Sequence, residues 1–242
     1  MLAELPPVLA GADRVIGTSA GALLAARLLT GGDVAGLHGQ LAELARVRLR
    51  AAAVARLLVA QVWPSRRHAL QWLGRSAIRP GSLAEEDFVR LVQRTIGGNE
   101  WPPSLVVVGV DAVAGRPAYF TARSHVPLAR AVAASCAMPG VLPPVWIEDR
   151  HFMDGGLRSP ANVDLASGCE RVLVLGPQWR SARVVRRPAD QAEKLREEGA
   201  EVVLLQSGNT DRDVLSPAAL LPALERGRRQ GRELAPLVER LW

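Results

Sequence analysis

Short apolar runs rich in β-branched residues alternate with helical patterns along most of this chain. The strand-like runs are residues 105–110, 172–175 and 202–205, with a shorter one at 119–120. The helical patterns cover roughly residues 19–29, 33–62 with a break, 83–96, 127–137, 189–199 and 217–241. Strands that alternate with helices are typical of a mostly parallel sheet covered by helices on both faces. The predicted fold class is therefore α/β.

Length and composition narrow the remaining possibilities. The 242 residues, of which 48% are hydrophobic and 22% charged, are enough for one sizeable core, and no tract is repetitive or of low complexity. We therefore expect a single domain over residues 1–242. The formal charge is +6 at pH 7, but the arginines are spread along helical patterns rather than gathered in one run. Nucleic acid is therefore not a predicted partner.

Targeting signals and metal motifs are not evident in the sequence. The N-terminal residues lack a basic segment followed by an apolar one, and no window holds the roughly 18 uncharged apolar residues of a membrane span. We expect a protein that is cytoplasmic or peripheral to a membrane. Cys136 and Cys169 lack C-x-x-C spacing, so neither a metal site nor a disulfide framework is predicted.

Residues 41–79 are the least strand-like part of the chain and are predicted to form a basic helical cap region. Leucines, valines and tryptophans alternate there with eight arginines: Arg46, Arg48, Arg50, Arg56, Arg66, Arg67, Arg75 and Arg79. A basic amphipathic helix that contains tryptophan can lie in a lipid headgroup layer. Alternatively, its apolar side chains face the sheet and its arginines face water. The sequence leaves both interpretations open.

A candidate nucleophile follows the first apolar run. Residues 15–23 read V-I-G-T-S-A-G-A-L, and Gly17-Thr18-Ser19-Ala20-Gly21 fits G-x-S-x-G, the sharp strand-to-helix turn that exposes a nucleophilic serine. The two glycines would let strand and helix pass close together. The N–H of Ala20 and the helix N-terminus would stabilise an oxyanion beside Ser19. The motif by itself also fits a purely structural turn.

A serine nucleophile needs a base within hydrogen-bond reach. In α/β-hydrolases the order along the chain is Ser, then Asp or Glu, then His. Only Asp111 with His125 fits that order in a plausible loop, and Asp111 begins a hairpin-like turn instead. The other histidines are His38, His68 and His151. A histidine base is therefore not predicted.

Asp154, in H-F-M-D-G-G-L, is the better candidate for the base. Gly155 and Gly156 can adopt positive φ, which would let the backbone turn tightly around the carboxylate. A carboxylate becomes a useful base for a serine when it is partly desolvated and aimed at the hydroxyl. D-G-G by itself also fits a turn with a solvated aspartate.

Two stretches together resemble the patatin-like phospholipase family. One is V-I-G-T-S-A-G-A-L, and the other is A-A-S-C-A-M-P-G-V-L-P-P-V-W-I, which leads into F-M-D-G-G-L-R-S-P-A-N. The resemblance implies a three-layer α/β/α sandwich and a lipid acyl hydrolase without metal or cofactor. Its nucleophile would be Ser19 and its base Asp154. Gly17, Ala20, Gly21, Gly155 and Gly156 would supply backbone geometry and oxyanion contacts.

The same resemblance implies a lipid or acyl ester substrate, with peripheral membrane contact as a possibility. Residues 133–144 would wall an acyl channel, or form only a proline-rich connection. An acyltransferase related to the malonyl-transfer fold is a further alternative. It is disfavoured because such enzymes pair their serine with a histidine.

Members of the family also carry a glycine-rich loop, G-G-G-x-R-G, ahead of the nucleophile strand. This sequence has no such loop, so we expect the first strand and several oxyanion donors to be absent. Three explanations are open: Met1 is not the true start, a partner supplies the loop, or the chain is a catalytically impaired remnant that binds lipid or protein. Activity of the chain as written is therefore uncertain from the sequence.

Overall fold

A computed structural model describes residues 11–33, 51–78, 83–177, 187–207 and 217–241. Its strands are β1 (Val15–Thr18), β2 (Leu105–Asp111), β3 (Pro117–Phe120), β4 (Val145–Ile147), β5 (Arg150–Asp154), β6 (Arg171–Pro177) and β7 (Glu201–Ser207). Its α-helices are α1 (Ala20–Leu29), α2 (Ala51–Gln61), α3 (Arg66–Ala77), α4 (Glu85–Ile96), α5 (Leu128–Cys136), α6 (Pro188–Glu197) and α7 (Pro217–Leu241). This succession of strands and helices confirms the predicted α/β class.

The central strand of the larger sheet is β2, and it pairs with three neighbours. It runs parallel to β1 through residues 105–108 and antiparallel to β5 through residues 109–111. Its residues 107–110 pair antiparallel with β3. Since the β3 contacts overlap both of the others, β3 must lie on one edge of β2, and β1 and β5 must share the opposite edge end to end. The carboxyl ends of β1 and β5 therefore meet.

Helices cover both faces of this sheet. One core contains α1, α4 and α5 packed against alternate sheet residues such as Leu105, Val107 and Phe152. The other contains α2 and α3 packed against Val110 and Met153, which point to the opposite face. Successive side chains of a strand point to opposite faces, so a strand buried on both sides reads as a continuous apolar run. This is the three-layer α/β/α arrangement.

The strands β6 and β7 pair in parallel and form a second, two-stranded sheet. Their core includes α6 and also Ile16 of β1, so the two sheets pack side by side. Among the described residues, neither β1 nor β6 pairs with a strand on its remaining edge. A cavity of about 670 Å³ lies between these two edges, bordered also by Gly21 and Ala25 of α1.

Most predicted elements are present, with shifts at their ends. The helical pattern over residues 33–62 is described only from residue 51, and residues 41–50 and 79 of the predicted cap region lie outside the described part. The strands β4 and β5 form a hairpin in which Ile147 pairs with Arg150. Strand β4 was absent from the predicted elements because a strand of three residues leaves almost no periodic signal. The sheets combine parallel and antiparallel pairs.

Candidate active site

Ser19 occupies the turn between β1 and α1 in a backbone conformation that few residues adopt. Its φ is 52° and its ψ is −127°, and a non-glycine residue in such a region stores about 1–3 kcal/mol of strain. Gly17 makes this turn possible, since a Cβ there would lie 2.5 Å from the Cα of Ala22. The elbow geometry predicted from G-x-S-x-G is thus present around Ser19.

Gly21 differs from the prediction. A Cβ at Gly21 would meet no atom within 4 Å, and its φ is not positive. Gly21 lies in the first turn of α1 and borders the cavity between the sheets. Close passage of strand and helix therefore depends on Gly17 alone of the two glycines.

Asp154 is the last residue of β5, where it pairs with Gly109 of β2. The following Gly155 is required by space rather than by conformation, because a Cβ there would lie 2.1 Å from the carbonyl oxygen of Val108. Neither Gly155 nor Gly156 has positive φ, which corrects that part of the prediction. The chain instead enters a short 3-10 turn at Gly155–Leu157.

The structure brings Ser19 and Asp154 into direct contact. The Ser19 hydroxyl donates to Oδ2 of Asp154 at 2.7 Å, and the Gly156 N–H donates to Oδ1 at 2.7 Å. Asp154 is only 1% exposed, so the alternative of a solvated turn aspartate is wrong. Burial raises the pKa of Asp154 from 3.8 to about 6, while the hydrogen bonds from Ser19 and Gly156 act in the opposite direction. A carboxylate with that pKa is ionised at neutral pH and accepts protons readily.

The N-terminus of α1 lies beside the Ser19 hydroxyl. Intrahelical bonding begins with the N–H groups of Ala22 and Leu23, which donate to the carbonyl of Ser19. The N–H groups of Ala20 and Gly21 therefore precede the helical ladder, as expected for a first turn. The first turn of α1 itself carries no acidic residue, so its partial positive charge is not offset from within the helix. An anion beside Ser19 would be stabilised there.

Ser135 is a site residue that the sequence interpretation missed. Its buried hydroxyl accepts a hydrogen bond of 2.9 Å from the backbone N–H of Ser19. Ser135 lies near the end of α5, and the chain that follows contacts Asp154, because the Asp154 N–H donates to the carbonyl of Ala137. The segment had been singled out only as a channel wall. The alanine-rich sequence of this helix, which is mostly buried, was the available signal.

Cys136 is the second residue that was missed. Its thiol lies close enough to interact with both Ser19 and Asp154. Burial is the main cause that raises the pKa of the Cys136 thiol, the Asp154 carboxylate raises it further, and the hydrogen bond with Ser19 opposes both. The thiol is therefore protonated and neutral at physiological pH.

A buried network of hydrogen bonds supports the turn between β1 and α1. Asn162 Nδ2 donates to the Thr18 hydroxyl at 2.9 Å, and the Asn162 N–H donates to the hydroxyl of Ser159. Ser159 in turn donates to Gln191 of α6. The network thus connects the end of β1 to the segment after Asp154 and to the second sheet. Fully satisfied buried networks of this kind hold a single geometry.

None of the described histidines hydrogen-bonds to Ser19 or Asp154. Asp111 accepts from the N–H groups of Val113 and Ala114, so it caps the hairpin turn that was predicted for it. His151 packs edge-on against Trp146, and His38 lies outside the described residues. In the part of the chain that the structure describes, no three His, Cys, Asp or Glu side chains cluster as metal ligands would.

Comparison with known families agrees with the motifs and their geometry. No curated protein matches the chain. The family model described as patatin-like phospholipase matches residues 1–167, which is well over half of the chain and includes both Ser19 and Asp154. Lipid acyl hydrolysis is the activity at the level of that family. This chain belongs to the patatin-like phospholipase family.

Proposed function

We propose that the chain is a lipid acyl hydrolase that cleaves fatty acyl esters of phospholipids or related lipids through a Ser19–Asp154 dyad. The observation that carries the proposal is the hydrogen bond of 2.7 Å from the Ser19 hydroxyl to a buried carboxylate. A serine at a strained turn, a base in contact with it and a helix N-terminus beside it are the parts that acyl transfer needs.

In this mechanism the Ser19 oxygen attacks the ester carbonyl carbon while its proton passes to Oδ2 of Asp154. The tetrahedral oxyanion accepts a hydrogen bond from the N–H of Ala20 and is stabilised by the partial positive charge at the N-terminus of α1. When the intermediate collapses, the ester C–O bond breaks and Asp154 returns the proton to the leaving alcohol. Asp154 then takes a proton from water, which attacks the acyl carbonyl carbon. The acyl–oxygen bond to Ser19 breaks, Asp154 returns the proton to the Ser19 oxygen, and the fatty acid is released. Gly156 and Ser135 hold base and nucleophile in place.

The test is turnover of medium-chain p-nitrophenyl esters by the wild type, Ser19→Ala and Asp154→Asn. Both variants are expected to lose at least about 10³-fold in kcat, because each lacks one half of the dyad. The kcat of the wild type should fall below pH 6, where Asp154 takes up a proton and can no longer act as a base. A fluorophosphonate probe should label the wild type but not Ser19→Ala.

Substantial turnover by either variant would refute the dyad. A fully folded wild type that neither reacts with the probe nor turns over ester would favour the alternative of a catalytically impaired lipid- or protein-binding module. Circular dichroism of each variant serves as the control for folding.

A further inference from the structure

The outward face of α2 is apolar although it is exposed. Leu58 is 64% exposed and Val62, just after the helix, is 80% exposed, and Ala55 and Val59 lie on the same face. With 3.6 residues per turn, these four positions form one stripe on the side opposite to Ala60, which packs in the core. A helix that faces only water carries polar side chains there. The stripe is therefore an interaction surface.

Positive charge surrounds this stripe. Residues 44–84 contain no aspartate or glutamate, although the chain has 24 of them. On α3 the exposed face carries Arg67, His68 and Arg75, with Ile78 just beyond the helix, whereas the opposite face packs in the core. Within the described residues 51–78 every charged side chain is an arginine, and apolar side chains beside arginines match the boundary between the acyl chains and anionic headgroups of a bilayer.

The turn between β2 and β3 extends the surface. Its Val113 is exposed, and the next residue, Ala114, accepts hydrogen bonds from the side chains of Arg67 and Gln71. At the junction of α2 and α3, Trp63 stacks on Trp72 with ring centroids 5.4 Å apart. Tryptophan is enriched where proteins meet the headgroup layer of a membrane.

The same helices pack on the strand that carries Asp154, on the sheet face opposite to α5. The inner faces of α2 and α3 pack against Met153 and Leu157, which flank Asp154 in sequence. The outer surface is thus about 10 Å, one helix diameter, from strand β5. None of the described helices is long and apolar enough to cross a membrane. Contact through this face would hold a bilayer against the sheet that carries Asp154, without insertion of a span.

We propose that α2, α3 and the β2–β3 turn form a docking surface for bilayers that contain anionic phospholipid, with Leu58, Val59 and Val62 at the acyl boundary and Arg67 and Arg75 against phosphate. The inference rests on the proposed function for its substrate but not for its binding. A second copy of the chain fits less well, because a two-fold contact would set the same arginines against each other.

The test is sedimentation of the Ser19→Ala chain with vesicles of phosphatidylcholine alone or mixed with phosphatidylglycerol. Binding is expected only with phosphatidylglycerol and should weaken as salt rises. Leu58→Glu/Val62→Glu should lower the partition coefficient at least about tenfold, because two apolar side chains no longer enter the bilayer. Arg67→Gln/Arg75→Gln should lower it about fivefold for each arginine.

Leu237→Glu, which adds one negative charge at an exposed leucine of α7, is the control for the single variant Leu58→Glu and should bind like its parent. Quenching of tryptophan emission by brominated lipid, reduced in Trp63→Phe, measures docking without any charge change. Unchanged binding by Leu58→Glu/Val62→Glu would overturn the proposal. So would a dimer that this double substitution abolishes in a chain that never binds vesicles.

Turnover of a soluble p-nitrophenyl ester separates this inference from the proposed function. The Leu58→Glu/Val62→Glu chain with Ser19 intact should keep that turnover while it loses activity on vesicles. Vesicle binding by a chain without any esterase activity would support the docking surface and contradict the proposed function alone.

Discussion

The buried carboxylate of Asp154 is expected to destabilise the folded chain at neutral pH, so that Asp154→Asn raises the free energy of unfolding. Asn has the same shape as Asp. Its side-chain oxygen can accept from the Gly156 N–H, and its amide can donate to the Ser19 oxygen, so both contacts of the native side chain are retained. What the substitution removes is the charge in a site that is only 1% exposed.

The magnitude follows from the pKa of Asp154, which burial raises from 3.8 to about 6 in the folded chain. Between these pH values the folded chain holds a proton that the unfolded chain has released, so the free energy of unfolding falls as pH rises through this window. Each pH unit corresponds to about 1.4 kcal/mol, which gives a loss of about 3 kcal/mol by neutral pH. The substituted side chain in the Asp154→Asn variant does not titrate, so the free energy of unfolding of that variant does not fall in this way.

Urea unfolding followed by tryptophan fluorescence, near pH 4 and at neutral pH, measures the effect. The stability of Asp154→Asn relative to the wild type should increase by about 2 kcal/mol between the two conditions, because part of the window lies below pH 4. Asp149→Asn, whose side chain is 88% exposed, is the control and should show no comparable change. A wild type and an Asp154→Asn variant that keep the same stability difference at both pH values would falsify the view that this carboxylate is desolvated.

Two further predictions concern the frame around the dyad. Gly17→Ala should destabilise the fold by about 3 kcal/mol or more, since its Cβ would lie 2.5 Å from the Cα of Ala22. Gly21→Ala, where a Cβ meets no atom within 4 Å, should be neutral or stabilising by up to about 1 kcal/mol. Equal shifts of the melting temperature in the two variants would contradict this prediction. Ser135→Ala leaves the Ser19 N–H without its acceptor, so it should lower the free energy of unfolding by about 1–3 kcal/mol. It should also lower kcat for p-nitrophenyl esters more than it raises KM. Ser135→Thr, which keeps the hydroxyl, should recover part of kcat. A Ser135→Ala variant with an unchanged kcat would show that the bond does not position the nucleophile.

The positions of Ser19 and Asp154 could be predicted from sequence because each is marked by local chemistry. G-x-S-x-G needs small residues around a strained serine, and D-G-G needs a glycine where strands crowd together. The long apolar run of β2 likewise specified a strand buried on both faces. These signals act within a few residues, so one sequence carries them.

The supporting residues could not be found in this way, since their roles arise only through contacts distant in sequence. Ser135 reaches Ser19 across 116 residues, and Asn162 reaches Thr18 across 144. The sequence A-S-C-A-M-P does not indicate which of its polar atoms contacts Ser19. The prediction that Gly21 allows close passage of strand and helix was wrong for a related reason. The motif does not reveal that this position borders a cavity.

Because β1 and β5 pair with the same edge of β2, the backbone of β2 fixes the distance between Ser19 and Asp154. Thr18 pairs with Val108 and Asp154 pairs with Gly109, so adjacent residues of one strand set the spacing between Asp154 and Ser19, which follows Thr18. Loops elsewhere can lengthen or shorten without altering that spacing. One residue inserted between Val108 and Gly109 would instead separate the two partners by about 3.3 Å and reverse the faces of every side chain beyond it.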